Sequence, residues 1–168
     1  MLFRSERSGV KAATDGLFQE KNVILTPLPG TSEVARNLVK ELWQKCGAIV
    51  HEMPPKVHDQ IFAAVSHLPH VLAYALVADI AARPNASDLF QFAAGGFRDF
   101  TRIASSSPEM WRDICLANRD AMVTELDSYL AQVNRMRDAI VKGDGVVLEQ
   151  IFDAARNARN AWISGGSK

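Results

Sequence analysis

Two clusters of side chains in this 168-residue sequence have types and spacing that could do chemistry. The first is His58-Asp59 together with Ser66-His67-Leu68-Pro69-His70. His67 and His70 stand three residues apart, so a continuous helix would put them on one face. Pro69 lies between them, removes a backbone hydrogen bond and crowds the preceding turn, which predicts a kink near Ser66 to Pro69 that re-aims both rings. A histidine beside an internal proline is well placed to offer a ring nitrogen to a ligand. The plainer reading is a structural histidine whose nitrogens are satisfied inside the fold. Three histidines also raise zinc, but no glutamate stands in a metalloprotease-like register with them, so no metal is expected.

The second cluster is Gly95-Gly96-Phe97-Arg98-Asp99-Phe100-Thr101-Arg102. On a helix Arg98 and Arg102 share a face, where like charges cost a few tenths of a kcal/mol. Asp99, three residues before Arg102, could orient it. Paired guanidinium forks suit a carboxylate, which they bind bidentately. The two glycines ahead would let a ligand or another chain approach the backbone closely. The alternative is a surface salt-bridge network with Asp99, Glu109 and Asp113.

The elements that must carry these clusters divide the chain near Met53. Before it, Asn22-Val23-Ile24-Leu25-Thr26-Pro27 reads as a buried strand stopped by proline. A helix follows with Thr31 or Ser32 as N-cap, a face of Val34, Leu38 and Leu42 flanked by Val39 and Trp43, and a stop at Gly47. Ala48-Ile49-Val50-His51 reads as a second strand, completing a β-α-β unit. Two parallel strands do not make a stable sheet alone, so residues 1–53 are expected to be the tail of a larger α/β domain.

From Pro54 onward helical periodicity takes over. A long helix is predicted from about Val57 to Arg83, then a short one from Ser87 through Phe92. Ser107-Pro108-Glu109 supplies an N-cap, an N1 proline and a first-turn acid. Met122, Leu126, Tyr129, Val133, Met136 and Ile140 follow at spacings of 4, 3, 4, 3, 4, a heptad seam. After a tight turn at Gly143-Asp144-Gly145, Leu148, Ile151, Ala155, Ala158 and Trp162 repeat the pattern. Two helices about 34 and 18 residues long, joined so closely, predict an antiparallel hairpin with more apolar stripe than its neighbours can cover. Burial in a symmetric dimer answers that; an intramolecular bundle is the alternative.

Composition excludes several classes. Nineteen basic residues balance nineteen acidic ones, which gives no footprint for nucleic acid or an anionic membrane. No uninterrupted apolar run reaches the length of a membrane helix; Val71 to Ala82 is broken by Asp79. Met1 to Val10 hold Arg4, Glu6 and Arg7 and no apolar stretch, so no secretory signal is expected. Cys46 and Cys115 are far apart and read as thiols in a reducing cytoplasm.

Taken together, His58-Asp59, Ser66 to His70, Gly95 to Ala104 and Met110-Trp111-Arg112-Asp113-Ile114 resemble the prephenate and arogenate (cyclohexadienyl) dehydrogenase family. Ser5-Glu6-Arg7-Ser8-Gly9 and Ile24-Leu25-Thr26-Pro27 are similar to it as well. The match covers nearly the whole chain in order. The resemblance implies a mainly α fold: a helical substrate-binding and dimerisation domain over residues 54–168, preceded by an incomplete β-α-β remnant of a Rossmann domain over 1–53. It implies an oxidoreductase of tyrosine biosynthesis that oxidatively decarboxylates prephenate or arogenate with NAD or NADP. The partners implied are a second copy of the chain, the missing nucleotide domain, and tyrosine as an inhibitor.

By the same resemblance Arg102 binds the ring carboxylate, His70 lines the pocket at the substrate's side chain, and Glu6 joins a polar network at the entrance. Asp99 and Trp111 hold Arg102 and the interface, His58 is structural at the domain junction, and Gly96 belongs to the glycine pair. Two features depart from the pattern. The family's His-Pro-x-x-Gly run, whose histidine polarises the substrate hydroxyl, is absent, since the chain starts Met1-Leu2-Phe3-Arg4. No glycine-rich dinucleotide fingerprint occurs anywhere. The chain alone is therefore expected to be inactive and to bind no cofactor. A helical dimer that binds an aromatic metabolite as a regulator is the competing expectation.

Overall fold

The computed structural model describes residues 16–165, which fall into two compact units divided between Ser66 and His67. In the first unit β1 (Asn22–Leu25) and β2 (Ile49–Glu52) pair in parallel, with Val23 opposite Val50 and Ile24 opposite His51. Helix α1 (Glu33–Lys45) connects them, and the Ser32 side chain accepts from the Ala35 amide as its cap. Gly47 ends the connection at φ +83, a left-handed conformation that a side chain resists.

The apolar face of α1 is not the one that meets the strands. Val34, Leu38 and Leu42 are 79%, 67% and 59% exposed. Residues 36, 40 and 43 occupy the opposite side at 100° per residue, and these are the half-buried ones. Trp43 meets Phe18 edge-on at 4.9 Å, while Arg36 and Lys40 both reach Glu52 of β2. Two strands can cover one side of a helix. The apolar stripe therefore faces outward among the described residues.

A helix of 27 residues, Pro55–Ala81, opens the α-helical part. It consists of α2 (Pro55–Phe62), a π-helical turn at Ala63–His67, and α3 (Leu68–Ala81). The irregularity expected near Ser66 to Pro69 takes the form of this wider turn, and Pro69 follows it directly in the first turn of α3. By length and composition alone this helix could cross a membrane, although no uninterrupted apolar run exists. Scattered polar residues such as Asp59, His67 and His70 hide that from a search for unbroken runs.

The second unit continues with α4 (Ala86–Gln91), α5 (Gly95–Thr101), a 3₁₀ turn at Arg102–Ser105, α6 (Pro108–Ala117), α7 (Arg119–Lys142) and α8 (Gly145–Gly165). The single helix expected from Pro108 to Lys142 is broken at Asn118, whose φ of −108 and ψ of 33 leave the helical region. The Gly143 turn is as expected: Gly143 takes φ 67, and the Asp144 carboxylate accepts from the Val147 amide to start α8. The core of this unit holds Leu68, Ala73, Trp111, Met122 and Ala139. Along the predicted seam Ile140 is 64% exposed, and Trp162 on α8 is 70% exposed.

Candidate functional site

Helix α3 brings His70 into the core of the second unit, where it is buried and lies flat against Trp111 of α6. Their ring centroids are 3.7 Å apart and their planes 19° apart. His67, one turn earlier, meets Trp111 in a T-shaped arrangement at 6.1 Å, and its Nδ1 lies 3.3 Å from the Asn118 side-chain amide. The two histidines thus flank one indole. The Trp111 Nε1 is buried with no hydrogen-bond partner among the described residues, a donor that an incoming acceptor would satisfy.

One turn beyond His70 on the same face of α3, Tyr74 donates its hydroxyl proton to the Ser106 carbonyl at 2.6 Å. Ser106 closes the 3₁₀ turn that begins at Arg102. That turn is also tied internally, because the Ser105 hydroxyl donates to the Arg102 carbonyl at 2.7 Å. Just upstream, the Thr101 hydroxyl donates to the Phe97 carbonyl at 2.7 Å, and Phe97 meets Phe90 of α4 edge-on.

Arg98 and Arg102 are both exposed, one turn apart, and neither takes part in an ion pair among the described residues. Asp99 is exposed too and forms no ion pair with Arg102, so the orienting contact expected from their spacing is not made. The acids of the supposed network, Glu109 and Asp113, pair with Arg112 instead. Adding a Cβ at Gly95 or Gly96 would meet nothing within 4 Å, so the space over the glycine pair is open.

In the first unit His58 stacks on Phe62 at 4.5 Å, and its Nδ1 lies 3.0 Å from the Asp59 carboxylate. Glu6 lies outside the described residues. Among the described residues no group of three or more His, Cys, Asp or Glu could hold a metal ion. The connection from β1 to α1 runs Thr26-Pro27-Leu28-Pro29-Gly30-Thr31-Ser32, without the glycines that let a pyrophosphate approach the backbone.

Sequence reasoning missed Tyr74 and Asn118. It tied Trp111 to Arg102, whereas the structure stacks Trp111 on His70. Tyr74 was findable as a neighbour of His70, since they are four apart on one helix, but its partner Ser106 is 32 residues away.

The family model described as prephenate dehydrogenase, dimerization domain, matches residues 54–154, and the one described as its nucleotide-binding domain matches residues 2–52. The chain belongs to the prephenate dehydrogenase family. Prephenate dehydrogenase of Bacillus subtilis is 40% identical over 157 residues, 93% of this chain and 42% of the relative. Cyclohexadienyl dehydrogenase of Zymomonas mobilis is 36% identical over 162 residues, 95% of this chain and 55% of the relative. The chain spans about half the length of the prephenate dehydrogenase relatives it matches.

Among solved structures, the Aquifex aeolicus prephenate dehydrogenase in complex with hydroxyphenyl propionate and NAD+ superposes with a TM-score of 0.87 at 38% identity, over 95% of this chain and 56% of that one. The Synechocystis arogenate dehydrogenase has the same fold, with a TM-score of 0.81 at 23% identity over 92% of this chain and 56% of that one. The mainly helical fold with its short β-α-β segment is thus that of the prephenate dehydrogenases.

Proposed function

We propose that this chain supplies the substrate-carboxylate site and the dimer interface of a dehydrogenase that oxidatively decarboxylates prephenate or arogenate with NAD or NADP in tyrosine biosynthesis. The observation that carries the reading is the pair Arg98 and Arg102. Two guanidinium groups one turn apart, with no acid on either among the described residues, are electrostatically incomplete, and a carboxylate ligand completes them. His70 and Trp111 lie in the same compact unit and offer an aromatic wall and a buried N–H. An aromatic or cyclohexadienyl carboxylate matches both features, and the A. aeolicus relative was crystallised with such a compound, hydroxyphenyl propionate.

In this reading Arg102 takes the ring carboxylate, His70 lines the side-chain end, and Glu6 belongs to the entrance. His58 and Gly96 shape the surroundings. Residues 1–53 belong functionally to the nucleotide-binding part and 54–168 to the substrate and dimer part. The cofactor is held by nucleotide-binding residues outside the described ones. The protein is cytoplasmic and homodimeric, and the exposed apolar side of Pro55–Ala81 meets protein rather than lipid.

The deciding experiment is calorimetric titration with prephenate and with 4-hydroxyphenylpropionate, for the chain and for Arg102→Ala. Binding that the substitution removes supports the reading. Unchanged affinity takes Arg102 out of the site. Adding a separately expressed nucleotide-binding portion then separates two roles: prephenate-dependent reduction of NAD+ or NADP+ marks a dehydrogenase part. Binding of tyrosine that never leads to turnover marks a regulatory dimer.

A further inference from the structure

We propose that Tyr74 is a positioning residue for Arg102, its hydroxyl fixing the turn from which the guanidinium reaches a carboxylate. The inference rests on the assignment of Arg102 to the carboxylate site. Arg102 has no ion-pair partner among the described residues, so none of their acids sets its direction. What aims it is the backbone that carries it. That backbone is a four-residue 3₁₀ turn, a conformation with poor hydrogen-bond geometry that needs support from outside. At its end Ser106 turns into extended conformation, with φ −71 and ψ 164, and its carbonyl accepts from Tyr74 at 2.6 Å.

The next residue, Ser107, caps α6 through the Met110 amide, and Trp111 sits one turn into that helix. One hydrogen bond from α3 therefore holds the junction between the arginine turn and the helix that bears the indole. The same face of α3 presents His70 to that indole. Tyr74 thereby sets the span between Arg102 and the His70–Trp111 stack, which is the span a carboxylate-bearing ring must bridge.

The test compares the unaltered chain with Tyr74→Phe, with Arg102→Lys, and with the double variant. Tyr74→Phe keeps the ring and removes the bond, and Arg102→Lys keeps a charge while losing the fork. Affinity for 4-hydroxyphenylpropionate is read by calorimetry and hydrogen exchange at the amides of residues 103–107 by mass spectrometry. Tyr74→Phe is expected to weaken binding about tenfold and to speed exchange in that segment, with the thermal midpoint lowered by about 2–4 °C. In the Arg102→Lys background its effect should shrink to about twofold, because there is no longer a fork to aim. Equal affinity losses in both backgrounds, or no loss at all, overturn the positioning role while leaving the carboxylate site standing. If the unaltered chain binds no 4-hydroxyphenylpropionate, the assignment of Arg102 fails and the positioning role fails with it.

Discussion

The imidazole of His70 lies nearly parallel to the indole of Trp111 with 3.7 Å between ring centroids, and the indole Nε1 is buried beside it without an acceptor among the described residues. Stacking and burial make this pair a main support of the second unit. Trp111→Ala should destabilise the chain by about 3–5 kcal/mol, the range for emptying a large aromatic site. Trp111→Phe keeps the stack and deletes the unsatisfied donor, so it should cost well under half of that. Urea unfolding of both variants checks the difference. Equal losses would show that the stack contributes little.

A second prediction concerns the strand unit. At Gly47 a Cβ would run into the side chain of Gln19 and press on its Cα at 3.3 Å, in a backbone held at φ +83. The Gly47 carbonyl also accepts from the Glu20 amide at 2.8 Å, which fixes the turn into β2. Gly47→Ala should cost about 1–2 kcal/mol from the left-handed conformation alone, with the collision added. A thermal midpoint equal to that of the unaltered chain would refute it.

How far the sequence could be read depends on whether the signal is local. The Ser32 and Ser107 caps, the Gly47 stop and the Gly143-Asp144 turn are written within a few residues, and each forms as expected. The direction a stripe faces is not local. Val34, Leu38 and Leu42 have the period of a core face, yet the side of α1 that meets the strands is the one with Arg36, Lys40 and Trp43. The break at Asn118 was hidden because the seam begins only at Met122, and neither proline nor glycine marks residues 109–121 ahead of it. Residue types marked the two clusters but not their contacts. Asp99 and Arg102 have the spacing of an ion pair and do not form one, while the Tyr74 bond to Ser106 joins segments no spacing rule connects.

The two thiols should react at different rates. Cys46 is exposed, whereas burial pushes the Cys115 thiol above the usual value by disfavouring its thiolate. At pH 8 a smaller fraction of Cys115 is thiolate, and iodoacetamide should label Cys46 first. Raising the pH should narrow the gap, since the upshifted group gains most from alkali. Peptide mapping over time checks this, and faster labelling of Cys115 would contradict it.

The hairpin of α7 and α8 carries the last prediction. Val141 and Phe152 are 71% and 53% exposed, and with Ile140 and Trp162 they leave an apolar surface bare on one chain. A patch of this kind is unfavourable in water, and the matching family model describes residues 54–154 as a dimerization domain. Light scattering should therefore return twice the 18.5 kDa chain mass. Val141→Glu with Phe152→Glu should shift the protein toward monomer, because a buried unpaired carboxylate is costly in a closed interface. Since neither side chain is buried within the chain, helical circular dichroism should persist at low temperature, which separates loss of the interface from loss of the fold. A dimer that survives both glutamates would place the interface elsewhere, with the exposed side of Pro55–Ala81 as the next surface to alter.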